Sequence, residues 1–134
     1  MTTIRLANGD DHWSVQGLAR ALALTEGPAA AELPPTLKIF VAEADNHIIG
    51  FAAIDKAQIT HLYVTGAARR SGIGANLLRA IVQDVPPGTE LGVLVSPNNV
   101  PALALYKRAG FQPDIVGEYA GHSQHLSLVL KTTA

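Results

Sequence analysis

One stretch, Ile59–Leu78, limits what this chain can become more than any other. Ile59-Thr60-His61-Leu62-Tyr63-Val64 is rich in strand formers, and Ala75-Asn76-Leu77-Leu78 continues into a helix. Between them, after Thr65–Ala68, lies a tight basic turn, Arg69-Arg70-Ser71-Gly72-Ile73-Gly74. Gly72 and Gly74 open φ angles closed to other residues and let backbone come close to a bulky ligand. The helix that starts there offers free N–H groups and the positive end of its dipole. Two arginines stand beside that end. Strand, turn and helix together predict a cradle for an anion, phosphate first among them.

The rest of the chain alternates strands and helices. Ile4–Ala7 predicts a first strand, and Asn8–Asp11 a turn with an aspartate placed to cap the next helix. Val15, Leu18, Ala19 and Leu22 recur at helical spacing from His12 to about Leu24, and Glu26-Gly27-Pro28 stops that helix. Ala29–Leu33 reads as a short turn ended by Pro34-Pro35, the least regular part of the chain and a natural place for specificity. Leu37–Ala44, Ile48–Ile54 and Gln58–Val64 predict a three-strand meander. The helix after the glycine turn carries Leu77, Leu78, Ile81, Val82 and Val85 on one face and ends at Pro86-Pro87-Gly88. Leu91–Val95 is wholly apolar and predicts a buried central strand. Pro101 suits the first turn of a last helix with Ala102, Leu105, Tyr106 and Ala109 inside and Gly110 as its stop. Phe111–Val116 and Gln124–Leu130 complete a mixed sheet covered by helices, in one α/β domain over residues 1–134.

Composition narrows the class of protein. Apolar content of 48% and charged content of 16% in 134 residues describe a folded chain with a core. A net charge of −1 lacks the basic footprint of a nucleic-acid binder. The absence of cysteine removes disulfides, thiolate metal sites and a cysteine nucleophile. Met1–Asp11 is mixed and polar and does not read as a signal peptide, and no apolar run spans a bilayer. The expected compartment is the cytoplasm, with no membrane partner. The histidines show no spacing that completes a metal site. The turn also lacks the lysine–serine/threonine pair of a phosphate-loop nucleotide hydrolase.

Two segments carry a family resemblance. Arg69-Arg70-Ser71-Gly72-Ile73-Gly74 is similar to the Arg/Gln-x-x-Gly-x-Gly/Ala signature of the GCN5-related N-acetyltransferases (GNAT). Asn99–Phe111 resembles the same family's Asn-x-x-Ala-x-x-Leu-Tyr-x-x-x-Gly-Phe segment. The element order also fits, along essentially the whole chain. The resemblance implies a mostly antiparallel twisted sheet of about seven strands, three to four helices and two splayed central parallel strands, Gln58–Val64 and Leu91–Val95. It implies acetyl-coenzyme A (coenzyme A) as the bound donor. By the same resemblance Arg69, Arg70, Ser71, Gly72, Ile73, Gly74 and Ala75 hold its pyrophosphate. Leu62, Tyr63 and Val64 hold its pantetheine arm as a pseudo-strand. Asn99 binds near the pantetheine, and Tyr106 lies close to the thioester sulfur.

The chemistry this implies is direct acetyl transfer to a primary amine, with no covalent enzyme intermediate. An alkyl ammonium has a pKa near ~10, so the site must remove a proton, stabilise an oxyanion and protonate a thiolate. Tyr106 is the expected acid, against the plainer reading of a packed helix aromatic. A backbone N–H at Val64 or just before it is the expected oxyanion donor. Members with a glutamate base carry it on the first central strand, where this chain has Gln58, which accepts no proton at neutral pH. His61 titrates in the right range. Strand alternation, however, puts it on the face opposite Gln58 and Thr60 and favours a structural role. A water chain held by Gln58, Thr60 and backbone carbonyls is the favoured base. His12 and His47 read as solvated, and His122 and His125 flank the last strand near the acceptor. Lys107 and Arg108 read as a solvated helix face. Trp13 is either acceptor lining or core. Glu26, Glu32 and Glu118 rank no higher than surface charge. The acceptor is a small-molecule amine or a protein or peptide amine, and a homodimer is possible. Transfer of another acyl group, or an acyl-coenzyme A-binding module without turnover, is the alternative; turnover lost on changing Tyr106 to Phe separates the last.

Overall fold

The meander forms because its turns are built from residues that tolerate them. Strand β2 (Lys38–Ala44) turns into β3 (His47–Asp55) through Asp45 and Asn46, with φ of 51° and 64°. Two successive positive φ values suit the tight turn between twisted antiparallel strands. Lys56, at φ 57°, turns β3 into β4 (Gln58–Val64). This computed structural model describes residues 2–69, 71–114 and 125–132. Among them, β1 (Thr2–Leu6), β5 (Glu90–Val95), β6 (Gln112–Pro113) and β7 (Leu126–Lys131) complete a seven-stranded sheet. Its order is β1-β2-β3-β4-β5-β7-β6. Every neighbouring pair is antiparallel except β4 and β5. Those two strands are paired only at Gln58↔Gly92 and Ile59↔Val93 and then part.

Helices cover both faces. On one, α1 (His12–Glu26) buries Val15 and Ala19 against Val41, Phe51 and Ala53. On the other, α2 (Ile73–Asp84) buries Leu77 and Ile81 with Ile59, Leu91 and Phe111. The third helix, α3 (Val100–Arg108), adds Ala102 and Tyr106 to that second core. Its start is capped by Asn99, whose side chain accepts from the Ala102 N–H, with proline in the first turn.

Several expectations change. Asp11 does not cap α1. Its carboxylate, on a buried residue, instead takes two hydrogen bonds from the Arg5 guanidinium, at 2.8 and 3.0 Å, and one from the Asn8 N–H. Arg5 beside it holds that carboxyl below the usual aspartate value. Ala109 is not on an inner helix face: α3 ends at Arg108, and Ala109 is exposed. Leu94 breaks the buried run of β5, at 37% exposed, because it faces a cavity. Trp13 is neither core nor acceptor lining. It is 79% exposed and stacks edge-on against the His12 ring. The strand after Phe111 is short; Ile115, Val116 and Gln124, expected in strands, lie outside the described residues.

The turn into α2 needs glycine for one reason at Gly72 and another at Gly74. Gly72 precedes the helix at φ 82°, while a Cβ there would meet nothing. Gly74 has ordinary backbone, but its Cβ would come within 3.0 Å of Leu105 on α3. Gly72→Ala is therefore expected to lose about 1–2 kcal/mol through backbone strain alone, measured by urea unfolding.

Candidate functional site

The parting of β4 from β5 has a local cause in β4. Ala53 pairs with His61 and Ile54 with Ile59, so Thr60 is an extra residue, a β-bulge. The bulge reverses the alternation of the strand. Ile59 packs on the α2 side, but so do Leu62 and Val64, while Tyr63 faces the α1 side. Strict alternation had placed His61 opposite Gln58. The bulge instead brings both to one cavity, and this corrects that expectation.

Two cavities meet where the strands part. The larger, about 1200 Å³, runs between the ends of β4, α2 and α3. Leu62, Tyr63, Val64, Arg69, Gly72, Ile73, Gly74, Ala75 and Asn99 line it, which gathers most of the residues expected to hold the donor. Helix α2 begins there without a side-chain cap, so its first-turn N–H groups, at Ile73, Gly74 and Ala75, have no intrahelical partner. The Arg69 guanidinium lies 5.5 Å from the Tyr63 ring centre and donates from Nε to the Val64 carbonyl at 3.0 Å. Ser71 turns inward on the loop, donating its hydroxyl to the Ala68 carbonyl. Arg70 lies outside the described residues. Arg108, expected as solvated surface, is exposed but also lines this cleft.

The smaller cavity, about 360 Å³, lies beyond the bulge and shares Leu22, Leu62, Asn99 and Ala102 with the larger. Tyr106 lines it on a residue only 3% exposed, with its ring edge-on to Phe111 at 5.2 Å. Burial first, and the Glu26 charge second, push its hydroxyl well above the usual tyrosine value. Tyr106 is thus fully protonated at neutral pH and available as a donor. Its hydroxyl makes no hydrogen bond among the described residues.

Glu26 is the residue that sequence reasoning missed. It is not surface charge, as expected, but a side chain 12% exposed. Its carboxylate accepts from the Ser96 N–H at 2.9 Å and from Asn99 Nδ2 at 2.7 Å, with His125 Nε2 at 3.3 Å. The His125 ring also reaches the Glu26 carbonyl, at 3.0 Å. Asn99 therefore lines the cleft with both side-chain polar groups engaged, one in the α3 cap and one on Glu26. The helix stop Glu26-Gly27-Pro28 marked its position but not its partners, which are distant in sequence. Glu32 is exposed at the same cavity; Glu118 and His122 lie outside the described residues.

His61 has a structural setting. It is 5% exposed, beside the Phe51 ring, with Nε2 2.9 Å from the Ala30 carbonyl and Nδ1 2.7 Å from the Thr60 hydroxyl. The Thr60 hydroxyl also lies 3.3 Å from the Ala53 carbonyl, and with its one hydrogen directed to Nδ1 the ring accepts there, donates from Nε2 and is neutral. Burial pushes its pKa below the ordinary value, against the opposing pull of the Ala30 and Glu32 backbone. Among the described residues no cluster of three metal-ligating side chains occurs, and no helix is long and apolar enough to cross a membrane.

Solved structures share this architecture. The Thermoplasma acidophilum PaiA N-acetyltransferase, in complex with coenzyme A, matches with a TM-score of 0.76 at 17% identity, covering 98% of this chain and 99% of its own. The Escherichia coli ribosomal-protein-S18-alanine N-acetyltransferase matches at 0.70 and 17% identity, covering 100% and 96%. The fold is that of an acyltransferase. Residues 35–113 match the family described as "Acetyltransferase (GNAT) domain", and the chain belongs to that family. A candidate ribosomal protein bS18-alanine N-acetyltransferase of Bacillus subtilis (strain 168) is 33% identical over 85 residues. That match covers 59% of this chain and spans 56% of the relative's length.

The buried imidazole sets a pH dependence. His61 protonates near 6.5 in the unfolded chain and lower in the folded one, so the unfolded state binds more protons below that pH. This contribution is complete above the unfolded value and is lost as pH falls through it toward the folded value. Unfolding free energy should therefore fall as the pH is lowered from above the ordinary histidine value to below it. Urea titrations of the wild type and His61→Gln check this, and the variant should lack that part of the slope.

Proposed function

We propose that residues 1–134 act as one domain that transfers an acetyl group from acetyl-coenzyme A to a primary amine by direct attack. The observation that carries this reading is the early end of the β4–β5 ladder, which leaves strand edges open beside an uncapped helix start. Open backbone groups along a cleft suit an extended amide-bearing arm, and a helix start suits its phosphates. Acetyl-coenzyme A, when bound, supplies an acyl carbon activated as a thioester.

The chain's own groups then divide the work. The N–H groups at Ile73, Gly74 and Ala75, with Arg69 and Arg70, take the pyrophosphate charge. The exposed edge at Leu62–Val64 aligns the pantetheine arm, and Asn99 orders the wall opposite. A backbone N–H at or just before Val64 donates to the carbonyl oxygen as it gains charge. Tyr106, held protonated, donates its hydroxyl hydrogen to the departing sulfur as the carbon–sulfur bond breaks. Neutral, doubly bonded His61 takes no proton from the amine. Water between Gln58 and Thr60 carries that proton away instead. The Bacillus and Escherichia relatives are named for a ribosomal-protein alanine, which supports a protein or peptide amine as acceptor.

The Tyr106 hydroxyl is the test, because among the described residues removing it breaks no hydrogen bond. Tyr106→Phe is expected to keep its melting temperature and its coenzyme A affinity by isothermal titration. Its kcat should fall by roughly 10²-fold or more, in line with loss of a positioned acid. Thiol release over a broad amine panel gives the rate. An unchanged kcat would remove Tyr106 from the chemistry, and tighter binding of ATP than of coenzyme A would sink the donor assignment.

A further inference from the structure

The smaller cavity has a one-sided charge. Three carboxylates line it, those of Glu26, Glu32 and Asp55, and no Lys or Arg does so among the described residues. Residues 115–124, outside the described set, contain no Lys or Arg in sequence. Glu26 is the inner member, while Asp55 is half-buried and Glu32 is exposed. Among the described residues Oε1 faces the Ser96 N–H and His125, and Oε2 faces Asn99 Nδ2. A carboxylate oxygen accepts about two hydrogen bonds, so these donors leave Oε2 room for one more. The cavity also holds the nine-tenths-buried Tyr106, whose hydroxyl has no partner among the described residues.

We infer that this cavity takes a primary ammonium group with no free carboxylate beside it, anchored on Glu26. The chemical class is the α-amine of a peptide chain rather than a free amino acid. A free amino acid would bring its own carboxylate among three others, with no Lys or Arg among the described residues to meet it and His125 already against Glu26. Like charges at short range in a partly dry cavity oppose one another strongly. Converting that carboxylate to an amide, as a peptide bond does, removes the repulsion and leaves the ammonium free to bind Glu26. His125 and the Tyr106 hydroxyl are the titratable groups that face Glu26 among the described residues, and Gln58, Thr60 and His61 complete the polar lining without adding an anion. Calling the cavity the acceptor's rests on the acetyl-transfer reading; its charge preference does not.

Binding separates the two. Alaninamide and alanine differ only in that carboxylate, and each is titrated into the coenzyme A-loaded protein with the shifts of its amide resonances followed by NMR. Alaninamide should bind saturably and at least about tenfold tighter than alanine. Equal affinities, tighter binding of alanine, or no saturable binding of alaninamide would overturn the inference. Glu26→Gln should weaken alaninamide about tenfold and bring the ratio toward one. Because Glu26 also holds Ser96 and Asn99, Glu32→Gln and Asp55→Asn are paired with it. Each should narrow the ratio in part, with the melting temperature kept. A ratio unmoved by all three variants would also overturn the assignment. Acetyl transfer is measured in parallel. Selective binding with no transfer to any amine would sink the transferase reading and leave this one standing. Transfer without charge selectivity would do the reverse.

Discussion

The parallel ladder between β4 and β5 ends after two residue pairs, and the rest of the site depends on that ending. Each strand is secured from its other side. Strand β3 pairs β4 from Gln58 to Val64 around the Thr60 bulge, and β7 pairs β5 from Glu90 to Val95. With those ladders complete, neither strand needs the other to stay in the sheet. The parting leaves backbone N–H and C=O groups facing a cleft instead of a neighbour. Such groups are costly when dry, so the fold favours whatever supplies hydrogen bonds along that edge, water or an amide-bearing ligand. The Val64 carbonyl already shows that preference by drawing in Arg69 Nε.

The same parting is clasped from the α1 side. Glu26, at the last residue of α1, accepts from the N–H just past the end of β5 and from the residue that caps α3. A single carboxylate thus ties the end of one helix to the tip of a central strand and the start of another helix. Next to it, the 3₁₀ turn Pro28–Ala31 is fastened twice, by His61 Nε2 to the Ala30 carbonyl and by Gln16 Nε2 to the Ala31 carbonyl. The segment that reads as least regular in sequence is therefore a wall fixed to the sheet. Charges held in such a wall cannot move away from a poor fit.

Much of this was legible in the chain, for physical reasons that differ by residue. Gly72 announces a helix entry because few other residues take its φ of 82°, whereas Gly74 has ordinary backbone and leaves room for Leu105 of α3. The β2–β3–β4 meander was readable because its strands are short, rich in β-formers and joined by Asp-Asn and Asp-Lys turns. Tyr106 and Asn99 followed from helical spacing and resemblance. What was not legible depends on contacts between segments far apart in sequence. Thr60 looks like any strand residue, yet as a bulge it turns His61 to the face of Gln58. Glu26 looks like a helix-end charge until Ser96, Asn99 and His125 are brought against it. Asp11 looks like a cap, but Arg5 from β1 is a stronger partner than a helix N–H because the pair is charged and doubly bonded.

Glu26 and Tyr106 also constrain one another. The carboxylate is close enough to raise the tyrosine's pKa further after burial has raised it, so an anion in this wall keeps the neighbouring hydroxyl neutral. A neutral hydroxyl donates; an ionised one would not. The two groups therefore differ in charge at neutral pH, one an anion that accepts hydrogen bonds and the other a neutral hydroxyl that can donate one. Asn99 joins their surroundings to the larger cavity, since it lines both cavities, caps α3 and bonds Glu26. The start of the helix that carries Tyr106 and the Glu26 carboxylate are thus both bonded to this one side chain.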